Sequence, residues 1–111
     1  MVRIRITVVK RIKTEDILGM NFPKISEEAS CCERFGEGDT FISEDVNLGV
    51  PKGWPCPWAY NDIYKGLVVL QYGGDFRCVG TKEKGLVYLA CTDGLRPVIF
   101  KLERLDEKTP I

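Results

Sequence analysis

Residues 85–105, GLVYLACTDGLRPVIFKLERL, decide the fold of this chain. Their first part, residues 85–91, is almost continuously apolar, which is typical of a central strand covered on both faces. Residues 92–94 then form a turn sequence. Apolar and polar residues alternate through 97–105, which predicts a second strand whose core-facing residues are Val98, Phe100 and Leu102. We therefore expect the two strands to pair as a hairpin.

The longest predicted helix covers residues 57–72. Pro57 suits the first helical position, where its missing N–H costs nothing, and the glycines at 73 and 74 end the helix. An apolar stripe runs along one side of it through Ala59, Ile63, Leu67 and Leu70. Cys56, which stands between two prolines, falls at the N-cap of this helix.

The remaining segments predict smaller elements. Residues 2–12 alternate as a strand with one buried face. Thr14 is expected to cap a helical turn that ends at Gly19, and a second helix is expected from Ser26 to about Arg34. Residues 40–43 read as a short strand and 44–56 as an irregular loop. The expected fold is α+β, with a mainly antiparallel sheet of three to five strands and one principal helix packed across it. We expect a single domain over residues 1–105, followed by a loose tail at 106–111.

Composition excludes several classes of function. The chain has 111 residues with 16 basic and 16 acidic side chains, so its overall charge does not favour nucleic-acid binding. It contains no histidine, which excludes Ser-His-Asp and Cys-His catalytic pairs and histidine metal sites. An acid–base enzyme is therefore the least favoured class. No signal-peptide core and no apolar run long enough for a membrane span is found, so we expect a cytoplasmic protein that does not enter membranes.

The chain has five cysteines, and none of them forms a C-x-x-C pair. One interpretation is that they are small buried hydrophobic residues, which suits Cys91 inside its apolar strand. The other interpretation applies best to Cys56, because a thiol at a helix N-terminus is a candidate reactive or metal-bound group.

Four further residues are candidates for ligand binding: Arg96, Asp93, Trp58 and Asp62. Arg96 precedes a proline and should be extended, so that its guanidinium could clamp a carboxylate ligand. Alternatively it forms an internal ion pair with Glu37, Asp39 or Asp62. Trp58 belongs to an aromatic group on the helix that either packs in the core or contacts a ligand.

Four blocks of the sequence resemble a family of small, uncharacterised prokaryotic proteins of about this length. The blocks are Cys32-x-x-Phe35-x-x-Gly38-Asp39-x-Phe41, Cys56-x-Trp58-Ala59-x-x-Asp62-Ile63-Tyr64-Lys65, Gly73-Gly74-x-Phe76, and residues 91–101, CTDGLRPVIFK. The resemblance implies no established activity. It does select Cys32, Cys56 and Cys91 as motif positions and leaves Cys31 and Cys78 outside the motif. Some relatives carry two adjacent cysteines where this chain has Ala90-Cys91.

Two functional hypotheses follow. The favoured one is a binding module for a small anionic ligand or a partner protein, with Arg96, Asp93 and the backbone of residues 56–58 bordering one pocket. The alternative is a cysteine-centred protein in which Cys32, Cys56 and Cys91 converge, either as ligands of zinc, copper(I) or an iron–sulfur cluster, or as redox-active thiols. No cofactor is assigned.

Overall fold

A computed structural model describes residues 2–19 and 31–106 of the chain. Its elements are β1 (Ile4–Arg11), α1 (Thr14–Leu18), β2 (Thr40–Ser43), α2 (Pro57–Gln71), β3 (Leu86–Ala90) and β4 (Val98–Arg104), with a single 3-10 turn at Val46–Leu48 between β2 and α2. The four strands form one antiparallel sheet in the order β2-β1-β4-β3. The main helix, α2, packs against one face of this sheet, so the expected α+β fold is confirmed.

The core lies between α2 and the inner face of the sheet. The alternating residues of β1 and β4 face inward as their spacing predicts, and the apolar stripe of α2 meets them. The fully buried side chains include Ile4, Ile6, Val8, Ile63, Leu67, Leu70, Val98, Phe100 and Leu102. Leu105 continues this pattern past β4, since its N–H donates to the carbonyl oxygen of Arg3 at 2.9 Å.

Both ends of α2 follow from the sequence. Pro57 is the first helical residue, and Cys56 is the N-cap, whose Sγ accepts the N–H of Ala59 at 3.5 Å. At the other end Gly73 takes a positive φ of 86°, a conformation that glycine adopts at little cost. One guanidinium nitrogen of Arg104 donates to the carbonyl oxygens of Leu70 (3.0 Å) and Gly74 (2.8 Å). Strand β4 thereby holds the C-terminal end of the helix.

Strand β3 corrects one expectation. Its apolar run predicted a central strand, but β3 pairs only with β4 among the described residues and lies at the edge of the sheet. Val87 is buried on the helix side, whereas Tyr88 on the opposite face is 46% exposed. The hairpin of β3 with β4 is confirmed.

Two local predictions for the first third of the chain need correction. The N-cap of α1 is Lys13, and the hydroxyl of Thr14 instead donates to the carbonyl oxygen of Leu95 at 2.7 Å. The helix predicted from Ser26 to Arg34 is not present at residues 31–34, which are irregular, and its earlier part lies outside the described residues. Within the expected tail, residues 107–111 also lie outside them.

None of the helices in the described part of the chain is long and apolar enough to cross a membrane.

Candidate functional site

A pocket of about 390 Å³ opens where the N-terminus of α2 meets two irregular segments, residues 31–35 and the loop between β3 and β4. Its wall is formed by Cys31, Cys32, Glu33, Arg34, Phe35, Cys56, Trp58, Ala59, Cys91, Asp93, Arg96 and Val98. The structure therefore brings Arg96, Asp93 and Trp58 together with the three motif cysteines around one cavity.

An aromatic cluster fixes the segment 31–35 against the core. Phe35 is 3% exposed and makes edge-to-face contacts with Phe100 and Trp54, each with a ring-centroid distance of 5.1 Å. Two hydrogen bonds hold the rest of the segment. Arg34 donates to the carbonyl oxygen of Pro55 at 3.1 Å, and Arg11 on β1 donates to that of Cys32 at 3.0 Å.

The N-terminus of α2 forms the second wall. The indole N–H of Trp54 donates to the carbonyl oxygen of Cys56 at 2.7 Å, which holds the residue that precedes the helix. Ala59 is buried beside it, and the Trp58 side chain stands out from the helix with 54% of its surface exposed. The positive end of the helix dipole and an exposed indole thus border the cavity.

The β3–β4 loop forms the third wall and is organised by Asp93. One carboxylate oxygen accepts the N–H groups of Leu95 (2.9 Å) and Arg96 (3.2 Å), and the other accepts Nε of Arg96 at 3.1 Å. Arg96 therefore forms an internal ion pair, which was one of the two predicted roles. Its partner is Asp93, whereas the prediction named Glu37, Asp39 and Asp62. Those acids are distant in sequence, whereas Asp93 lies three residues away in the same turn.

The environment of Asp93 changes the pKa of its carboxyl group. Burial alone would raise this pKa, but the two N–H groups of the turn and the guanidinium of Arg96 more than compensate, so that the pKa lies below its ordinary value of 3.8. Asp93 is thus a structural carboxylate whose acceptor sites are mostly used inside the protein.

Asp62 does not line the cavity but ties two of its walls together. Its carboxylate accepts the backbone N–H of Thr92 at 2.7 Å and the Thr92 hydroxyl at 3.0 and 3.1 Å. The same hydroxyl accepts the indole N–H of Trp58 at 2.6 Å. This relay, from Trp58 through Thr92 to Asp62, fixes the first two turns of α2 against the β3–β4 loop. Thr92 is a site residue that the sequence reasoning treated only as part of a turn.

The cysteines divide into two groups. Cys32, Cys56 and Cys91 all line the cavity, as does Cys31, which the motif reading left out. These four are half-buried and free, and Cys78 is exposed and lies apart from them. Within residues 2–19 and 31–106, however, no three acidic or cysteine side chains are arranged so that they could hold a metal ion. The geometry therefore gives no support to the metal hypothesis for Cys32, Cys56 and Cys91.

Comparison of the chain with protein-family models, with curated proteins and with solved structures gives no match. The family resemblance therefore remains a prediction.

Proposed function

We propose that this protein binds a small anionic molecule in the pocket at the N-terminus of α2, with Arg96 as the principal anchor. The observation that carries the proposal is an imbalance between donors and acceptors in the wall. The charged lining residues are two acids and two bases, Glu33, Arg34, Asp93 and Arg96, so the net charge alone does not select an anion. The hydrogen bonds of the two half-buried members, Asp93 and Arg96, favour an anion, whereas Glu33 is an exposed carboxylate.

Asp93 uses both of its oxygens on three internal donors. Among the residues that the structure describes, Arg96 uses only Nε, in this ion pair, so its two amino groups remain for further hydrogen bonds. Arg34 is held through one amino nitrogen by Pro55. Because a guanidinium carries five N–H donors, both arginines keep donors for an acceptor in the cavity. A carboxylate or phosphate supplies such acceptors in the planar or forked geometry that arginine favours.

The size and surface of the cavity fit a small molecule. A volume of about 390 Å³ lies within the range of ordinary ligand sites. Trp58 and Ala59 offer apolar surface on one side, and Val98 and Phe35 offer it on another. The proposed ligand therefore combines an acidic group with an apolar or planar part that stacks on the indole.

Thermal-shift screening followed by calorimetry tests the proposal, with a panel of small carboxylates and phosphates as ligands. Arg96→Lys keeps the charge but loses the planar fork, so it should weaken binding of the best ligand about tenfold. Arg5→Lys is the matched control. Arg5 also bonds a carboxylate through Nε, that of Glu103 at 2.9 Å, but it lies on β1 and does not line the pocket.

Selective loss of affinity in Arg96→Lys, with Arg5→Lys like the wild type, supports the pocket as the binding site. Equal affinities in the two variants would overturn the role of Arg96. If no carboxylate or phosphate stabilises the wild-type protein, the proposed function itself is wrong.

A further inference from the structure

Four thiols share one small cavity, although they come from three separate parts of the chain. Cys31 and Cys32 lie in the irregular segment before β2, Cys56 caps α2, and Cys91 follows β3. All four are half-buried and free. Anion binding does not require them, because the donors proposed for the anion are the guanidinium groups of Arg96 and Arg34.

The backbone fixes the sulfurs of two of these cysteines. Sγ of Cys56 accepts the N–H of Ala59 at 3.5 Å, and Sγ of Cys91 accepts the N–H of Val98 at 3.3 Å. Ala59 and Val98 themselves line the cavity. Both sulfurs are therefore held at the wall by neighbouring main chain, where a bound molecule can reach them.

The segments that carry Cys32 and Cys56 lie side by side. Arg34 bonds the carbonyl oxygen of Pro55 at 3.1 Å, and the rings of Phe35 and Trp54 are 5.1 Å apart between centroids. Cys32 is two residues before Arg34, and Cys56 directly follows Pro55. A hydrogen bond from Trp58 to Thr92 connects the neighbours of Cys56 and Cys91 in a similar way. Because Sγ of Cys91 is held by the N–H of Val98 and Cys32 lies in an irregular segment, Cys32 is taken as the partner of Cys56.

We propose that the pocket carries out thiol–disulfide exchange with a small disulfide that bears carboxylates, of the class of glutathione disulfide. The proposal rests on the proposed function in one respect, namely that Arg96 and Arg34 bind the carboxylates. Exchange requires a nucleophilic thiolate beside the bound disulfide, and the wall offers four candidate sulfurs next to those two arginines.

The reaction balances in two steps. The thiolate of Cys56 attacks one sulfur of the bound disulfide, a protein–ligand disulfide forms, and the other half of the ligand leaves as a thiolate that takes up a proton. The thiolate of Cys32 then attacks Sγ of Cys56, and the second half of the ligand leaves in the same way. Two protein thiols are oxidised to one disulfide, and one small disulfide is reduced to two thiols.

Reaction of the reduced, folded protein with glutathione disulfide, followed by intact-mass measurement and peptide mapping, tests this scheme. The wild-type protein should end with a Cys32–Cys56 crosslink and no retained glutathione. Cys32→Ser should stop with one glutathione on Cys56. Cys56→Ser should give no Cys32 crosslink. Cys78→Ser is the matched control, since Cys78 is exposed and lies outside the cavity, and it should behave as the wild type does.

Modification confined to Cys78 in the folded wild-type protein would overturn the proposal. A crosslink that leaves out Cys56 would overturn it as well, as would equal reaction of all five cysteines.

A neutral disulfide separates this proposal from the anion-binding function. Arg96→Lys should slow exchange with glutathione disulfide about tenfold more than it slows exchange with hydroxyethyl disulfide, which has no carboxylate. If the wild-type protein forms the crosslink with both reagents and Arg96→Lys changes the two rates by the same factor, the thiol chemistry stands and the anion anchor is wrong. If carboxylates bind but no crosslink forms, the exchange proposal is wrong and the binding function stands.

Discussion

Thr92→Val removes the hydroxyl at the centre of the relay that joins α2 to the β3–β4 loop. Valine has nearly the same shape as threonine, so the substitution leaves packing almost unchanged and deletes only hydrogen bonds. The hydroxyl donates to the Asp62 carboxylate at 3.0 and 3.1 Å and accepts the indole N–H of Trp58 at 2.6 Å. The bond from the Thr92 backbone N–H to Asp62, at 2.7 Å, survives in the variant.

The expected loss follows from these two deleted interactions. A hydrogen bond contributes about 0.5–1.5 kcal/mol net, and more when one partner is charged. Both bonds lie near the surface, so water replaces the lost partners in part. We therefore expect the free energy of unfolding to fall by about 1–2 kcal/mol. In a domain of 111 residues this corresponds to a decrease in Tm of roughly 4–8 °C.

Urea denaturation followed by tryptophan fluorescence measures this loss, and Thr81→Val provides the control. Within the described ranges the hydroxyl of Thr81 makes only a long bond, 3.4 Å, to the carbonyl oxygen of Leu86, so that variant should be close to the wild type in stability. In a double-mutant cycle, Trp58→Phe and Thr92→Val should show a coupling energy of about 1 kcal/mol. Additive effects of the two substitutions, or a Thr92→Val variant as stable as the wild type, would refute the relay.

Three further predictions concern the helix and the pocket turn. Arg104→Met should lower the free energy of unfolding by about 2 kcal/mol in urea denaturation, because one guanidinium nitrogen of Arg104 donates to two carbonyl oxygens at the end of α2. A change within experimental error would contradict this capping role. Gly66→Ala gains about 1 kcal/mol of helix propensity, but its Cβ would lie 2.5 Å from a methyl carbon of Leu89, and overpacking costs about 1–3 kcal/mol. We expect a net loss of stability, and a more stable variant would mean that the Leu89 side chain moves aside at little cost. Because the pKa of Asp93 is lowered in the folded state, its carboxylate stabilises the fold above pH ~4 and loses this effect as the pH falls through the folded-state pKa. Tm should therefore fall more steeply on acidification in the wild type than in Asp93→Asn. Parallel profiles of Tm against pH would contradict this role of Asp93.

The sequence predicted those parts of the fold that depend on periodicity. Strict alternation in β1 and β4 identified their buried faces, and the Pro57 and Gly73 signals placed α2 to within a residue. Strand β3 shows the limit of this reasoning. A continuous apolar run has no polar face to reveal which side meets solvent, so periodicity did not show that Tyr88 and Ala90 face away from the helix. Whether a strand lies inside a sheet or at its edge depends on pairing with distant strands, which local pattern does not contain.

The candidate site was predictable where a residue's role is local. Cys56 as the cap of α2 and Asp93 as the organiser of its own turn follow from neighbouring residues. The partner of Arg96 is harder to predict: an extended residue before a proline favours a distant acid, whereas Nε of Arg96 bonds the carboxylate three positions earlier in the same turn. Cys31 falls outside the motif blocks, and no local pattern shows that it lines the cavity, because in an irregular segment the direction of a side chain depends on tertiary contacts. Here those contacts are made by Phe35 and Arg34, which hold the segment against the core.

The pocket and the core are stabilised by different forces, and this separates their responses to substitution. The core between α2 and the sheet consists of fully buried aliphatic side chains, so its stability depends on packing. Hydrogen bonds from Arg34 to Pro55 and from Trp58 through Thr92 to Asp62 join the walls of the pocket, and the bond from Arg96 to Asp93 holds the β3–β4 loop internally. Each is partly exposed and contributes modestly on its own. Substitutions in these bonds should therefore change the shape of the cavity, and with it the affinity for an anion or the rate of disulfide exchange, before they cost the protein its fold.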